Sequence, residues 1–173
     1  ERIRRMVSDI LFYAKERNLR RDTVDILAFS NDVIRVVEPK TKTLNIELVK
    51  DFDFSVDKIQ IDTGFVHSAL INILENAIDA CVRNEKTQHR KIVFSVKNDP
   101  KHLFFIVSDN GIGMDLETRN NLFSLFFSSK GREGTGLGLF LSNKIIAQHG
   151  GSISVDSVQG QGSRFTIKIP FRK

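Results

Sequence analysis

"FFSSKGREGTGLGLF", residues 126 to 140, sets four glycines and a lone lysine between a phenylalanine pair and an apolar run. Glycine costs a helix about 1 kcal/mol relative to alanine, so packing gives no reason to thin out side chains just before an apparent helix. Ten of the eleven glycines fall between Gly111 and Gly162. The second half of the chain needs bare backbone. Gly134, Gly136 and Gly138 bring several backbone N–H groups to a helix start, where the dipole favours anions, and Lys130 stands just upstream as a point charge. No Gly-Lys-Ser/Thr follows the glycines, so this is not a P-loop, and no strand precedes them as a dinucleotide fold requires. A loop that is merely flexible fits less well, because the glycines alternate with leucines that must pack.

Working outward, "TGLGLFLSNKIIAQHGG" predicts a helix ended by Gly150-Gly151, and "SISVDSVQGQGSRFTIKIP" a final hairpin. Upstream, "KIVFSVKND" and "HLFFIVSDN" read as two strands joined across Asn98-Asp99-Pro100. Helical spacing marks residues 1 to 20, a stretch from about Asp22 to Pro39, and a long helix from about Asp62 to Arg83. "LNIELVKDF" alternates as a strand, and the stretch from about 110 to 134 reads as loop-rich. The order predicts an α/β sandwich with helices on one sheet face.

Composition narrows the function. With 173 residues, 40% apolar and 27% charged, the chain suits one buried domain plus an appendage. The single cysteine, Cys81, excludes an internal disulfide and, set in "AIDACV", reads as a buried helical thiol. The formal charge of +5 is spread among acids, which argues for a solvated surface and against nucleic acid. No stretch comes near the roughly 20 apolar residues of a membrane span. The chain begins in mid-pattern with "ERIRRMVSDIL", so we expect a piece of a longer protein.

Two further stretches carry chemistry. In "VSDNGIGM" a strand ends at Ser108 and Asp109 follows, with Gly111 and Gly113 allowing close approach of the backbone to something flat. A buried carboxylate accepting from an exocyclic amine would read adenine; an ordinary Asp-Asn-Gly turn is an equally good reading. In "NILENAIDA", Asn72, Glu75, Asn76 and Asp79 fall at helical spacings of three and four and share one polar stripe. An asparagine oxygen suits Mg²⁺, which takes hard oxygen ligands and keeps waters and phosphates as its other partners. For Glu75 a solvated helix face is the competing reading.

"NILENA", "DNGIGM", "LFSLFFSSK" and "GTGLGL" occur in the order of the N, G1, F and G2 boxes of bacterial sensor histidine kinases, and residues 40 to 173 resemble that family's catalytic domain. The resemblance implies a two-layer α/β sandwich of the gyrase, Hsp90 and histidine-kinase ATPase type, with a mixed sheet, helices on one face and a long helix in front. It implies that Asp109 binds the adenine amino group, that Gly111 and Gly113 line the base, and that Asn76 holds Mg²⁺. It also implies that Lys130 with Gly134, Thr135, Gly136, Leu137 and Gly138 meets the phosphates, under a mobile lid at about 124 to 135 anchored by Phe123 and Phe126. Asn72, Glu75 and Lys130 are the catalytic candidates. Hydrolysing relatives carry a water-activating glutamate at the position of Asn72, and its absence spares ATP for transfer. Many sensor kinases have a basic residue at the position of Asp79, so a structural or water-mediated role is expected there.

None of His67, His89, His102 and His149 stands in the family's phosphoacceptor motif. Residues 1 to 20 resemble the second helix of the dimerisation and phosphotransfer hairpin, leaving 21 to 173 as the ATP-binding domain. The implied partners are ATP, a histidine-bearing hairpin of the parent protein and a response regulator; the parent would be a homodimer and its kinase domain cytoplasmic. A hydrolysing ATPase of the same fold, a serine kinase of the anti-sigma-factor type and a degenerate nucleotide-responsive module are the competing readings.

Overall fold

In the computed structural model, residues 19–128 and 135–171 are described. The helix expected over residues 1 to 20 lies almost wholly outside them. A five-stranded mixed sheet carries the fold, in the order β2 (Ile46–Asp53), β4 (Arg90–Asn98), β5 (His102–Asp109), β7 (Gly162–Pro170), β6 (Ser152–Val158). The β2–β4 pair is parallel and the other three pairs are antiparallel, as hairpins require. Three helices of more than two turns cover it: α1 (Ile26–Thr43), α2 (Thr63–Arg83) and α4 (Gly138–Gln148), with a short α3 at Leu116–Asn121.

Two sequence expectations are corrected. Residues 22 to 25 are not the start of a helix: Asp22–Asp25 is strand β1, paired antiparallel with β3 (Lys58–Ile61) in a separate two-stranded sheet. The helix begins one residue later, where the Asp25 carboxylate accepts the Ala28 N–H and caps it. It also runs through Pro39 instead of closing there. Proline removes the bond to the carbonyl four residues back, and Arg35, like Pro39, is exposed, so water can serve that carbonyl. The loop-rich stretch 110 to 134 contains the short α3, which buries no residue and has no apolar periodicity to announce it.

Helix α2 fills the centre. Val66, Ala69, Leu70, Ile73, Leu74, Ala77, Ile78 and Cys81 form its buried stripe, and Phe94 stacks on Phe105 beneath the helices at 6.3 Å between ring centres. Its length and composition bring it within range of a membrane span, which sequence inspection had not suggested, but the apolar stripe belongs to the protein core. Its start is fixed from both sides. Asp62 accepts the Phe65 N–H, and the Asp62 N–H donates to Nε2 of His149 at 3.0 Å. Nδ1 of His149 donates to the Ile145 carbonyl at 2.7 Å. One nitrogen accepts while the other donates, so His149 is a neutral imidazole.

His149 is 2% exposed, and loss of its ring leaves the part-buried Asp62 amide without its acceptor and a void. His149→Ala should therefore lower stability by about 2–4 kcal/mol, read as a clear drop in melting temperature. An unchanged melting curve would show that the bridge between α2 and α4 contributes nothing.

Candidate functional site

Strand β5 alternates Leu103, Phe105 and Val107 into the core, each at most 1% exposed. Asp109 is the next position on that same face and the last of the strand, one residue beyond the end expected from sequence. It lies in register with Ile92 on one neighbour and Ser163 on the other. The sheet thus delivers a carboxylate to the inner face, 9% exposed. Oδ1 accepts the Gly111 N–H at 2.9 Å, whereas Oδ2 is buried without a hydrogen-bond partner. Desolvation pushes the carboxyl up from 3.8 to about 6, against the pull of the Gly111 and Ser163 amides. The Ser163 amide is near the carboxylate without making a hydrogen bond of normal geometry to Oδ2. Cys81 stands close by; burial and the Asp109 charge raise its thiol to about 11, so it is inert filling, as its apolar setting implied.

The loop after Asp109 is pressed onto α2. A Cβ on Gly111 would lie 2.5 Å from the Ala80 carbonyl carbon, and the Ile112 N–H donates to the Ala80 carbonyl. On the other side, Gly113 takes φ +61, and a Cβ there would meet the Val158 carbonyl at 2.0 Å. Both glycines, expected to bare the backbone toward a flat ligand, are thus demanded first by the protein's own backbone. Asn84, at the end of α2, and Asn110 tie the same loop to the helix and to β4. Sequence reasoning missed both, because an asparagine in a polar loop carries no periodic signal.

The second cluster lies at the start of α4. Asn72 donates to Ser142 Oγ at 3.1 Å, and a Cβ on Gly138 would sit 2.3 Å from Asn72 Oδ1. Glycine at 138 therefore lets α4 close on the polar stripe of α2. No side chain caps the first turn of α4, and Thr135 Oγ1 is 3.4 Å from the Leu137 amide. Leu137 is buried and anchors the turn. The Phe126 N–H donates to the Gly136 carbonyl at 3.1 Å, closing the two arms of the glycine-rich stretch at their base. Phe126 has φ +63 and is 58% exposed, so it is not a core aromatic, while Phe123 packs against the core. Lys130 and Gly134, with the rest of residues 129–134 of the expected lid, lie outside the described residues.

Helix α2 links the clusters. Ala80 touches the Asp109 loop and Asn72 touches Gly138, eight residues or about 12 Å apart at 1.5 Å per residue. That is the reach of an extended nucleotide. Half-buried Asn76 lies midway and Asp79 beside Ala80. Glu75, proposed from sequence as catalytic, forms an ion pair with Lys40 of α1. Among the described residues no cluster of three His, Cys, Asp or Glu could hold a metal alone. Any ion here would take most of its ligands from a bound anion.

Comparison with known proteins gives the same picture. The family model described as histidine kinase-, DNA gyrase B-, and HSP90-like ATPase matches residues 61–173. Sensor histidine kinase ZraS of Escherichia coli (strain K12) is 31% identical over 170 residues, covering 98% of this chain and 35% of that protein. Sporulation kinase E of Bacillus subtilis (strain 168) is 29% identical, covering 100% of this chain and 23% of that protein. The chain thus spans about a third or less of the length of these relatives. The crystal structure of histidine kinase ThkA in complex with response regulator protein TrrA superposes with a TM-score of 0.82 at 27% identity, covering 99% of this chain and 48% of that one. The catalytic domain of ThkA alone superposes at 0.76 and 27% identity, over 88% of this chain and 98% of that domain.

The raised carboxyl sets a pH dependence. Above pH 6 the buried charge destabilises the fold; as pH falls from about 6 toward 3.8, the folded state takes up a proton before the unfolded state does, and stability rises. The gap corresponds to roughly 3 kcal/mol. Asp109→Asn should melt above the parent at pH 7.5 and lose that advantage near pH 4. A variant that melts lower at neutral pH would refute the burial cost.

Proposed function

The chain belongs to the histidine kinase-, DNA gyrase B- and HSP90-like ATPase family and is an ATP-binding domain of the sensor histidine kinase type; on that footing we propose that it transfers the γ-phosphoryl group of ATP to a histidine outside residues 1–173. The observation that carries this reading is the unpartnered Oδ2 of Asp109. A buried carboxylate oxygen without a donor is costly, and the exocyclic amine of adenine is a donor of the right kind. Asp109 then fixes the base through Oδ2 while the Gly111 amide holds Oδ1.

About 12 Å away along α2, the triphosphate meets the uncapped first turn of α4. Gly136, Leu137 and Gly138 stand at that turn's N-terminal end, whose dipole favours an anion. Thr135, Lys130 and Gly134 belong to the same phosphate-binding stretch in this proposal. Asn76, midway along α2, fits Mg²⁺ as a single neutral oxygen ligand, since the phosphates supply the remaining charge. The ion, when bound, offsets phosphate charge. Asp79 serves a structural or water-mediated role next to the base, and Gly111 and Gly113 offer the base a backbone surface.

Asn72 occupies the position at which hydrolysing relatives place a base. Its amide is engaged with Ser142 and has no capacity to take a proton from water. This favours transfer over hydrolysis. Glu75 holds Lys40, which makes orienting α1 against α2 its first task and leaves any catalytic part secondary. The acceptor histidine lies on a hairpin of the parent protein whose second helix is residues 1 to 20, with 21–173 as the kinase domain. A response regulator takes the phosphoryl group onward. The parent acts as a homodimer, and this domain works on the cytoplasmic side, where ATP is found.

The four histidines present are occupied otherwise. His149 is buried with both nitrogens engaged, His89 pairs with Glu47, His102 with Asp99, and His67 sets its edge against Phe29. Titration calorimetry should show ATP binding that Asp109→Asn weakens by roughly 10- to 150-fold, the value of a charge-assisted hydrogen bond of about 1.5–3 kcal/mol. Asn76→Ala should abolish the difference between titrations with and without Mg²⁺. With radiolabelled ATP alone the chain should acquire no phosphohistidine, and adding a histidine-bearing hairpin from the parent protein should restore labelling, on the hairpin. Label on any of the four internal histidines would overturn the proposal.

A further inference from the structure

Asn84 caps the C-terminal end of α2 and is 7% exposed. Its side-chain amide spends both hydrogens on the loop that follows β5. Nδ2 donates to the Asn110 carbonyl at 3.1 Å and to the Gly111 carbonyl at 3.0 Å. Oδ1 accepts the Lys86 N–H at 3.3 Å, which fixes which end of the amide faces the loop. Only a residue with two donors at one short reach can make this pair of bonds.

The position of those two carbonyls matters. The Asn110 carbonyl and the Gly111 N–H belong to one planar trans peptide unit and point in opposite directions. That N–H is the group holding Asp109 Oδ1. A pull on the Asn110 carbonyl therefore aims the amide at Oδ1 and leaves Oδ2 as the oxygen without a partner. The next peptide unit is fixed in the same way: its carbonyl, from Gly111, is bound by Asn84, and its N–H, from Ile112, donates to Ala80. Gly111 has no side chain to resist a peptide flip, so its orientation depends on these bonds.

Resting on the reading of Asp109 as the adenine acceptor, we infer that Asn84 is a positioning residue for base selection: by orienting the two peptide planes around Gly111 it presents one Asp109 oxygen to the exocyclic amine of the purine. Asn84 touches neither the base nor the phosphates. Its contribution is confined to nucleotides that carry a donor at that place on the ring.

The test compares ATP with purine riboside triphosphate, which lacks the 6-amino group, by calorimetry on the parent, Asn84→Ala and Asn84→Asp. The aspartate keeps the shape and removes both donors. In both variants ATP affinity should fall at least tenfold while that for purine riboside triphosphate changes less than threefold, so the preference for ATP collapses. Phosphate-side binding is the internal control. Equal weakening for both nucleotides, an unchanged preference, or loss of folding in both variants would each overturn the inference, the last by making Asn84 part of the framework alone. A parent that binds neither nucleotide would instead defeat the proposed function, and a parent whose ATP preference survives in the variants defeats only this inference.

Discussion

The backbone of Gly111 lies against the backbone of Ala80 with no room for a Cβ between them. This contact fixes where the loop after β5 meets α2, and so where the Asp109 carboxylate stands relative to the polar stripe Asn72, Glu75, Asn76 and Asp79. Everything on the binding side is measured from it. The same helix serves as core on one side and as the floor of the site on the other. Burying Leu70, Ile73, Leu74, Ala77 and Ile78 sets its rotation, and that rotation aims the polar stripe.

The site concentrates the costs that the fold carries. Asp109 is a charge at a strand position whose neighbours are Phe105 and Val107. Phe126 adopts a positive φ, uncommon for a residue with a bulky side chain. The first turn of α4 has no side-chain cap. Each departs from what an unconstrained sequence would choose. A ligand with a donor at one end and negative charge at the other satisfies the first and third together. Local rules broken in concert are the physical mark of a site.

Glycine serves two different needs here. At Gly111, Gly113 and Gly138 it allows protein to approach protein: a helix backbone, a turn carbonyl and the Asn72 amide. At Gly136 it closes the base of the glycine-rich stretch, at φ +67 against the Phe126 backbone. The sequence reading assigned all of this bareness to a ligand. Much of it is the geometry needed to bring loops close enough for a site to exist.

Much was legible from residue order alone. Periodicity located α2 to within a residue, as well as the β4–β5 and β6–β7 hairpins, because those segments bury one face and alternate accordingly. Four motifs in sequence identified the fold and named Asp109, Asn72 and Asn76 as worth attention. Strand β1 and helix α3 were not legible, being four and six residues long and having no buried face of their own to impose a pattern. The neutral state of His149 could not be read either, because the Asp62 amide that decides it lies 87 residues away. Nor could the Lys40 partner of Glu75, the clamp formed by Asn84, or the free oxygen of Asp109. Sequence determines which faces must be buried and which residue types are present. Only the tertiary structure decides which donor meets which acceptor, because hydrogen bonds are short and directional, and their partners come from segments that periodicity treats as independent.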